Sequence, residues 1–572
     1  MEDETKNCQN CKKDFIIEPD DFLFYEKMKV PAPTFCPECR MARRMIWRNE
    51  RSFYYRECGL CNNKIISVFK NEEIKVYCQD CWLSDKWDAS MYNLDYKFSK
   101  TFFEQYVNLF KLIPEMNLNG HVSNIDSPYI NFIVQAKKCH FCFGGGYIEN
   151  VMFSNVGIRI KDSAEIYFSM DCEFCYEIIN CQKCHKVYFG NNIKDCMDSY
   201  FLQDSVNCNE CIMSCNLRNK SFYFKNQQLS KEEYQIKKEE FLKQLHKDVS
   251  VLKEEFNRVL ISAPKKYANI LKSENSTGDN ITESSNVFDS FNISKGEICK
   301  CSQDIVGPAR DIYDSTSAGL SLERVYESMS VSMNITNSLF SLVIRNNSFN
   351  INYCFGLTSC SNCFACIGLR NKQYCILNKQ YTKEEYEELV PKIIKHMSDM
   401  PYIDSKGRVY KYGEFFPSEL SPFCYNETIA QEYFPLTKEQ SIEQGYKWKD
   451  KEERNYSIDI KNEDIPDDIT TVNNDIISKI IECGHKGECN HQCTEAFKII
   501  PEELQFYKRM NLPIPHLCPN CRHYERLAQR NPLKLWHRTC MKEGCTNEFE
   551  TSYAPDRPEI VYCEKCYQQE VY

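Results

Sequence analysis

Small and apolar side chains recur at a fixed short spacing through the middle of the chain. Between residues 136 and 211 they return every 12 positions in two registers: Ala136, Ile148, Ile160, Cys172, Cys184, Cys196 and Cys208, then Cys139, Val151, Ser163, Cys175, Val187, Ser199 and Cys211. A looser spacing of 13 relates Ser315, Ser328, Ser341 and Cys354. This pattern predicts a β-solenoid, in which each coil pairs its backbone with the next about 4.8 Å away. The 12-residue unit is either one narrow coil or half of a wider one.

The repetitive region is itself duplicated. Residues 208–234 reappear as residues 360–386, at an offset of 152. The polar segment 272–292 is expected to be a polar loop or an irregular coil that enters the second copy. Each copy ends in the S/T-x-x-E pattern that starts a helix: Ser230 with Glu233, and Thr382 with Glu385.

Paired cysteines lie at both ends of the chain. The first set is Cys8/Cys11, Cys36/Cys39, Cys58/Cys61 and Cys78/Cys81, and the second is Cys489/Cys493, Cys518/Cys521, Cys540/Cys545 and Cys563/Cys566. The gaps between successive pairs are 24, 18 and 16 residues in the first set and 24, 18 and 17 in the second. Aromatic residues and prolines also agree between the two ends at an offset of 482. One module therefore occurs twice.

The cysteine spacing predicts zinc sites. Four thiolates form a soft ligand set that holds Zn²⁺ in tetrahedral geometry. In CPEC (36–39) and CPNC (518–521) the proline suits the first position of a helix, whose positive end would face the thiolates. We expect four zinc ions, bound by Cys8, Cys11, Cys36 and Cys39; by Cys58, Cys61, Cys78 and Cys81; by Cys489, Cys493, Cys518 and Cys521; and by Cys540, Cys545, Cys563 and Cys566. Buried cysteine without metal is the alternative. The knuckle at Cys489 is the least regular, since Cys483, His485 and His491 crowd it.

Two stretches resemble a known family. Residues 8–44, with CxxC, an aromatic-acidic stretch, FY, a proline-rich turn and CPxCR followed by arginines, resemble the small bacterial family described as a probable treble-clef zinc-binding domain. Residues 489–530 resemble it again, with a wider first knuckle. The whole chain is similar to a group of long, cysteine-rich bacterial proteins that share the segment 369–387 and the C-terminal segment 531–567. The second resemblance implies no activity. Treble clefs elsewhere bind nucleic acid, ribosomes or protein, or only hold structure.

Arginines follow the second cysteine pair of each module at helical spacing. They are Arg40, Arg44 and Arg48 in the first copy and Arg522, Arg526 and Arg530 in the second. One interpretation is a stripe that tracks phosphates, with Trp47 or Trp536 able to stack on a base. The other is that these arginines neutralise zinc thiolates or pair with nearby acids, because each four-cysteine zinc site carries a formal charge of −2.

The cysteines of the repetitive region favour packing over metal binding. Residues i and i+3 of a regular strand face opposite sides, so a CxxC pair there does not chelate unless a turn intervenes. A narrow solenoid has room for small side chains, and free cysteine packs as a small hydrophobe. An additional zinc or iron–sulfur site and redox chemistry are the alternatives.

Composition limits the classes of function. The chain has 35 cysteines in 572 residues, a net charge of −10, no signal peptide pattern and no apolar run long enough to span a membrane. We expect a cytoplasmic protein whose thiols stay reduced. No catalytic motif occurs, and acids suitable for a solenoid site are scattered: Asp162, Asp171, Asp195, Asp198 and Asp204. We therefore expect a non-enzymatic protein that binds nucleic acid, either RNA or the ribosome. The alternatives are a protein-interaction scaffold using the solenoid surface and, last, a solenoid enzyme.

The predicted fold is mixed and multi-domain, with a duplicated β-solenoid core, a helical insert and two flanking treble-clef or zinc-ribbon modules. The expected order is a double zinc module (1–90), a helical connector (91–120), solenoid half 1 (121–229), the helical insert (230–272), solenoid half 2 (273–381), a helix and connector (382–480) and a second double zinc module (481–572).

Overall fold

The structure is a computed structural model that describes residues 2–246, 249–451 and 456–572. It is a mixed α/β arrangement with two large, mainly parallel sheets and cysteine-rich modules near both ends of the chain. The α-helices are Pro19–Met28, Pro37–Met45, Gln79–Leu83, Phe102–Leu112, Lys231–Leu245, Val249–Ser262, Lys383–Asp399, Ala430–Tyr433, Lys438–Glu443, Pro501–Met510, Pro519–Ala528 and Glu564–Val571.

The two large sheets lie in the middle of the chain, and we call them the first and second parallel stacks. The first contains Ile130–Lys137, His140–Glu173, Tyr176–Ile179, His185–Asn191, Met197–Gln203, Asn209–Cys215, Ser221–Phe224 and Gln227–Gln228. The second contains Ile270–Leu271, Glu274–Thr282, Ser285–Lys300, Gln303–Gly319, Leu322–Met329, Ile335–Leu339, Ser348–Asn352, Ser361–Phe364, Gln373–Ile376 and Lys379–Gln380. In each stack only the last strand is antiparallel to its neighbour.

Two-stranded sheets make up the remaining strand structure. Most are hairpins: Glu4–Asn7 with Asp14–Ile17, Tyr54–Glu57 with Lys64–Ser67, Tyr402–Ile403 with Val409–Tyr410, Ile481–Glu482 with Ala496–Phe497, and Trp536–Thr539 with Glu548–Thr551. Two parallel pairs join distant segments: Val76–Tyr77 with Glu115–Met116, and Lys265–Lys266 with Val561–Tyr562. The second of these attaches the C-terminal module to the segment just before the second stack.

The pairing register decides the size of the repeat. Tyr188 pairs with Tyr176 on one side and with Tyr200 on the other, so neighbours in the first stack are 12 residues apart. In the second stack the spacing is 11 at the first pairing, 13 between Tyr313 and Tyr326, and 12 near the end. The unit is thus a whole turn of 11 to 13 residues.

A left-handed residue at every third position gives the first stack its shape. From residue 132 to residue 225 every third residue has positive φ. From Ile130 to Leu217 every third residue other than Gly145 is buried. Each three-residue step therefore turns the chain and sends one side chain inward, and four steps make one 12-residue turn. The premise that i and i+3 face opposite sides is wrong here, because a left-handed residue stands between each pair.

The segment 272–292 belongs to the second stack. Of the two expectations, the polar loop is wrong, since Glu274–Thr282 and Ser285–Lys300 pair in parallel, whereas a coil that enters the second copy agrees with this pairing. Its asparagines stabilise the pairing through side-chain bonds between successive turns; Asn275 Nδ2 donates to Asn286 Oδ1 at 2.7 Å. Polarity alone did not distinguish this segment from a loop.

The two parallel stacks lie side by side and run in opposite directions. Asn180 Nδ2 donates to Asn280 Oδ1 at 3.1 Å, and Asn192 Nδ2 donates to Asn269 Oδ1 at 3.4 Å. From Asn180 to Asn192 the first stack continues by one turn, whereas their partners move back by about one turn, from Asn280 to Asn269.

Helices with capping boxes follow each stack, as the sequence predicts. The Ser230 hydroxyl accepts from the Glu233 amide, and the Thr382 hydroxyl accepts from the Glu385 amide. These helices contact the last parallel strand of each stack, Ser221–Phe224 and Gln373–Ile376.

Candidate metal centres

Cysteine quartets assemble in both terminal modules. The predicted sets at Cys8, at Cys58 and at Cys540 each come together, with all four sulfurs of a set within 4.8 Å of one another. The members are Cys8, Cys11, Cys36 and Cys39; Cys58, Cys61, Cys78 and Cys81; and Cys540, Cys545, Cys563 and Cys566.

The sulfur separations fit tetrahedral zinc. A Zn–S bond of about 2.3 Å in a regular tetrahedron places neighbouring sulfurs roughly 3.8 Å apart. The Sγ–Sγ distances are 3.7 Å for Cys11–Cys36 and 3.9 Å for both Cys61–Cys78 and Cys545–Cys563. These separations are compatible with a bound Zn²⁺ in each of the three sets.

Local backbone geometry prepares these thiols for metal binding. Cys36 is the N-cap of the helix Pro37–Met45, and its amide donates to Cys8 Sγ at 3.3 Å. The Cys78 amide donates to Cys58 Sγ in the same way, at 3.2 Å. Such bonds favour the thiolate, which is the form that binds metal.

The C-terminal knuckle differs from the predicted quartet. Cys483, not Cys489, joins Cys493, Cys518 and Cys521. Cys483 follows directly after the strand Ile481–Glu482, and the Cys518 amide donates to its sulfur at 3.2 Å. It thus occupies the place that Cys8 has in the first module. The cysteine spacing predicts that Cys489 and Cys493 form the first pair of ligands, whereas in the structure the pair is Cys483 and Cys493.

Cys489 lies in a separate group of possible ligands. This group contains His485, Cys489, His491 and Cys521. The sequence showed these residues crowding the knuckle but did not assign the two histidines to a site. Cys521 belongs to both groups.

The arginines of the N-terminal module lie against acids of the second stack. Arg40 pairs with Asp314 at 2.9 Å, and Arg44 lies 3.6 Å from the same carboxylate. Arg43, between them in sequence, pairs with Glu327 at 2.9 Å and with Glu414 at 2.8 Å. All three guanidinium groups are buried. Three arginines and three acids therefore form a buried cluster with balanced formal charge.

Arg48 lies at the end of the same helical stripe. Its guanidinium pairs with Glu50 at 2.6 Å and lies over the ring of Phe132 at 4.0 Å. Its side chain is 7% exposed. Arg48 therefore also points into the protein.

The arginines of the C-terminal module lie against the first stack. Arg522 pairs with Glu165 at 2.7 Å and with Glu503 at 3.1 Å, and Arg526 pairs with Glu165 as well. Arg530 donates to the Tyr167 hydroxyl at 2.7 Å. The helix Pro519–Ala528 is thus held on the opposite stack from the helix Pro37–Met45.

These contacts bear directly on the two interpretations of the arginine stripes. A phosphate contact requires exposed guanidinium groups. Here carboxylates of the stacks already lie beside four of the six, namely Arg40, Arg44, Arg522 and Arg526. The arrangement favours pairing with acids. Nucleic-acid binding by these residues stays a prediction. Trp47 is buried against Phe416, so it is not placed to stack on a base. Trp536 lies in the strand Trp536–Thr539.

Most cysteines of the parallel stacks point inward, whereas Cys301 has positive φ and lines a cavity with Arg40 and Asp314. Cys139 Sγ donates to the Ile148 carbonyl at 3.6 Å, and Cys175 Sγ donates to the Cys184 carbonyl at 3.6 Å. Among the described residues, the groups able to hold a metal include no cysteine of either stack. The contacts are those of packed thiols with satisfied hydrogen bonds.

The scattered acids of the first stack occupy its corners. Asp162, Asp171, Asp195, Asp198 and Asp204 all have positive φ. Aspartate tolerates this conformation better than most residues, which explains its recurrence. Asp171 pairs with Arg159, and Asp204 pairs with Lys265 at 3.1 Å. Ordinary ion pairing accounts for these two.

Comparison of the chain with protein-family models and with curated protein sequences finds no match. In the described ranges, none of the helices is both long enough and apolar enough to cross a bilayer.

Proposed function

We propose that the chain is a zinc-stabilised, non-enzymatic scaffold that binds another protein. In this proposal the two parallel stacks are β-solenoids, the terminal modules are treble clefs or zinc ribbons, and the modules clamp the stacks together. The supporting observation is that Arg40, Arg44, Arg522 and Arg526 are buried beside carboxylates of the stacks. The arginine helix of each module lies against the stack that is more distant in sequence.

The treble-clef assignment has support from local geometry. The hairpin formed by Glu4–Asn7 and Asp14–Ile17 carries Cys8 and Cys11 at its turn. The helix Pro37–Met45 supplies Cys39 and is capped by Cys36. A hairpin knuckle and a helix N-terminus that share one ion are what this kind of module requires.

A groove between the two terminal modules suits a protein ligand. It encloses about 370 Å³ and is lined by aromatic residues of the N-terminal module and the first stack, and by polar residues of the connector and C-terminal module. Its aromatic members are Phe53, Tyr54, Tyr55, Tyr129 and Phe141. Tyr55 is 81% exposed. Exposed aromatic residues in a concave site are typical anchors of protein interfaces.

The charges around the groove favour a peptide over a polyanion. Lys449 and Lys451 lie beside Asp450 and Glu495, so neither sign dominates. The chain as a whole carries −10, and occupied four-cysteine sites would add negative charge. A nucleic acid would meet an unfavourable overall field.

The proposal is tested by capture of cellular protein with the zinc-loaded chain and with Tyr55→Ala. The matched control is Tyr147→Ala, because Tyr147 is 51% exposed and lies in the first stack outside the groove. We expect one protein to bind in stoichiometric amounts to the wild type and the control, and at least tenfold less to Tyr55→Ala. Equal capture by all three chains, or capture of RNA alone, would contradict the proposal.

A further inference from the structure

The long knuckle of the C-terminal module carries residues that its N-terminal counterpart lacks. Nine residues separate Cys483 from Cys493, whereas two separate the matching cysteines of the first module. His485, Cys489 and His491 lie within this longer loop. The loop folds back on itself, since the Lys486 amide donates to the Cys483 carbonyl at 2.8 Å and Gly487 has φ of 80°.

The fold of this loop brings its ligands against the quartet. Cys521 Sγ lies 3.9 Å from Cys483 Sγ, within the quartet, and 3.7 Å from Cys489 Sγ, outside it. Both distances match the roughly 3.8 Å expected between two sulfurs on one tetrahedral zinc. The ligand atoms of His485, Cys489, His491 and Cys521 all lie within 4.8 Å of one another. Cys521 therefore belongs to two groups of four possible ligands, the cysteine quartet and the group with His485, Cys489 and His491.

The two histidines have nitrogens available for a metal. Nδ1 of His485 and Nδ1 of His491 are buried and have no hydrogen-bond partner in the described parts of the chain. A buried polar atom without a partner is unfavourable, and a metal ion would satisfy both nitrogens.

Neighbouring side chains lie beside both rings. Nε2 of His485 lies 4.0 Å from a carboxylate oxygen of Glu525, which is longer than a hydrogen bond. A carboxylate hydrogen-bonded to the second nitrogen is the usual support for a metal-bound histidine, and Glu525 lies near that position. The His491 ring stacks on Tyr524, with centroids 5.2 Å apart and planes within 4°.

We propose that the C-terminal module holds two zinc ions bridged by the thiolate of Cys521. The first ion takes Cys483, Cys493, Cys518 and Cys521. The second takes His485, Cys489, His491 and the same Cys521. The protein would then bind five zinc ions rather than four. This inference concerns metal binding alone and does not depend on the scaffold proposal.

Charge and exposure give the two ions different properties. A single zinc on four thiolates has a formal charge of −2, whereas two zinc ions on five thiolates and two neutral histidines have −1 (4 − 5). The second ion thus reduces buried negative charge. Its own ligands His485, Cys489 and His491 are partly exposed, while the first quartet is buried. We expect the second ion to exchange with added chelator before the first.

Native mass spectrometry of the zinc-loaded full chain tests the count. We expect five zinc ions in the wild type and four in the Cys489→Ser/His491→Ala double variant. His537→Ala is the control, because His537 is exposed and pairs with Glu548 and Glu550 outside any cysteine group, and it should keep five. Four ions in the wild type, or five in the double variant, would overturn the proposal.

Cadmium-113 NMR tests the bridge without any substitution. In wild-type chain loaded with ¹¹³Cd, we expect one pair of resonances with a resolved ¹¹³Cd–¹¹³Cd coupling through the Cys521 sulfur. One member should show the shift of a four-sulfur site and the other that of a mixed sulfur–nitrogen site. Five resonances without a coupled pair would exclude the bridge, and four would exclude the second ion.

Discussion

Glu327 is the acid on which the docking of the N-terminal module depends most. Its carboxylate is fully buried and lies 2.9 Å from Arg43, 3.7 Å from Arg40 and 3.8 Å from Arg44. It also accepts from the Phe415 amide at 3.1 Å. Although burial lowers the pKa of Arg43, Glu327 and Glu414 hold it above its ordinary value, so the guanidinium stays charged.

Glu327→Gln keeps the shape of the side chain and removes its charge. The cluster then has three arginines and two acids, with one uncompensated buried positive charge. Removing one partner of a buried ion pair costs about 3–5 kcal/mol. Because about 1.4 kcal/mol corresponds to a tenfold change in an equilibrium constant, local opening should become roughly one hundred to several thousand times more frequent.

Hydrogen–deuterium exchange of the helix Pro37–Met45 measures this opening directly. Glu323→Gln is the matched control: Glu323 is about half exposed on the same strand, and its pairing with Arg324 is 3.6 Å long. An exposed substitution of this kind should change stability by about 0.5 kcal/mol or less. If the helix exchanges equally fast in both variants, the buried cluster does not hold the module in place.

Three further predictions follow from the same structure. Burial raises the pKa of Glu115 to about 8 from its ordinary 4.5. The folded state therefore holds this proton more tightly than the unfolded state, and the protein loses stability as pH rises from about 4.5 through 8. Melting temperatures at pH 6 and pH 9 should show this loss in the wild type and not in Glu115→Gln. Ile178→Ala in the centre of the first stack should cost about 2–5 kcal/mol in urea unfolding, while Tyr147→Ala should cost little. Removal of metal by a chelator should accelerate exchange in residues 8–45 and 483–528 before the parallel stacks, because metal binding contributes to the folding of such modules; simultaneous loss everywhere would contradict this order.

Spacing along the chain predicted the features that depend on neighbouring residues. Three cysteine quartets, the capped helices and the 12-residue register all follow from distances of a few to a few dozen residues. The period of three inside that register was also present in the sequence, since the two registers at Ala136 and Cys139 are three residues apart. It was missed because a regular strand was assumed, whereas a left-handed residue intervenes at each step.

Pairing with acids was one interpretation of the arginines, but the identity of those acids depends on contacts between distant segments. Arg43 meets Glu327 across 284 residues and Glu414 across 371. No local sequence pattern identifies such partners, because a run of arginines at helical spacing is the same whether the side chains face solvent or a buried acid. Cys483 was missed because the lengthened knuckle breaks the offset that aligns the rest of the two modules. Its position directly after a short strand was the signal that could have identified it.

The burial of the arginines also affects how nucleic-acid binding can be tested. Arg44 is fully buried, so Arg44→Glu would place a further carboxylate in a cluster that is already balanced. Such a variant would lose binding through misfolding whether or not the arginine contacts phosphate. A test on the intact wild-type protein avoids this ambiguity.

We propose that the arginine helices hold the modules on the stacks and do not bind phosphate. The most direct test is binding of the zinc-loaded wild-type chain to mixed cellular RNA and to duplex DNA, measured from low to physiological salt. We expect no measurable binding to either nucleic acid at any salt concentration. Affinity that is high at low salt and falls steeply as salt increases, as it does when several phosphate contacts form, would contradict it.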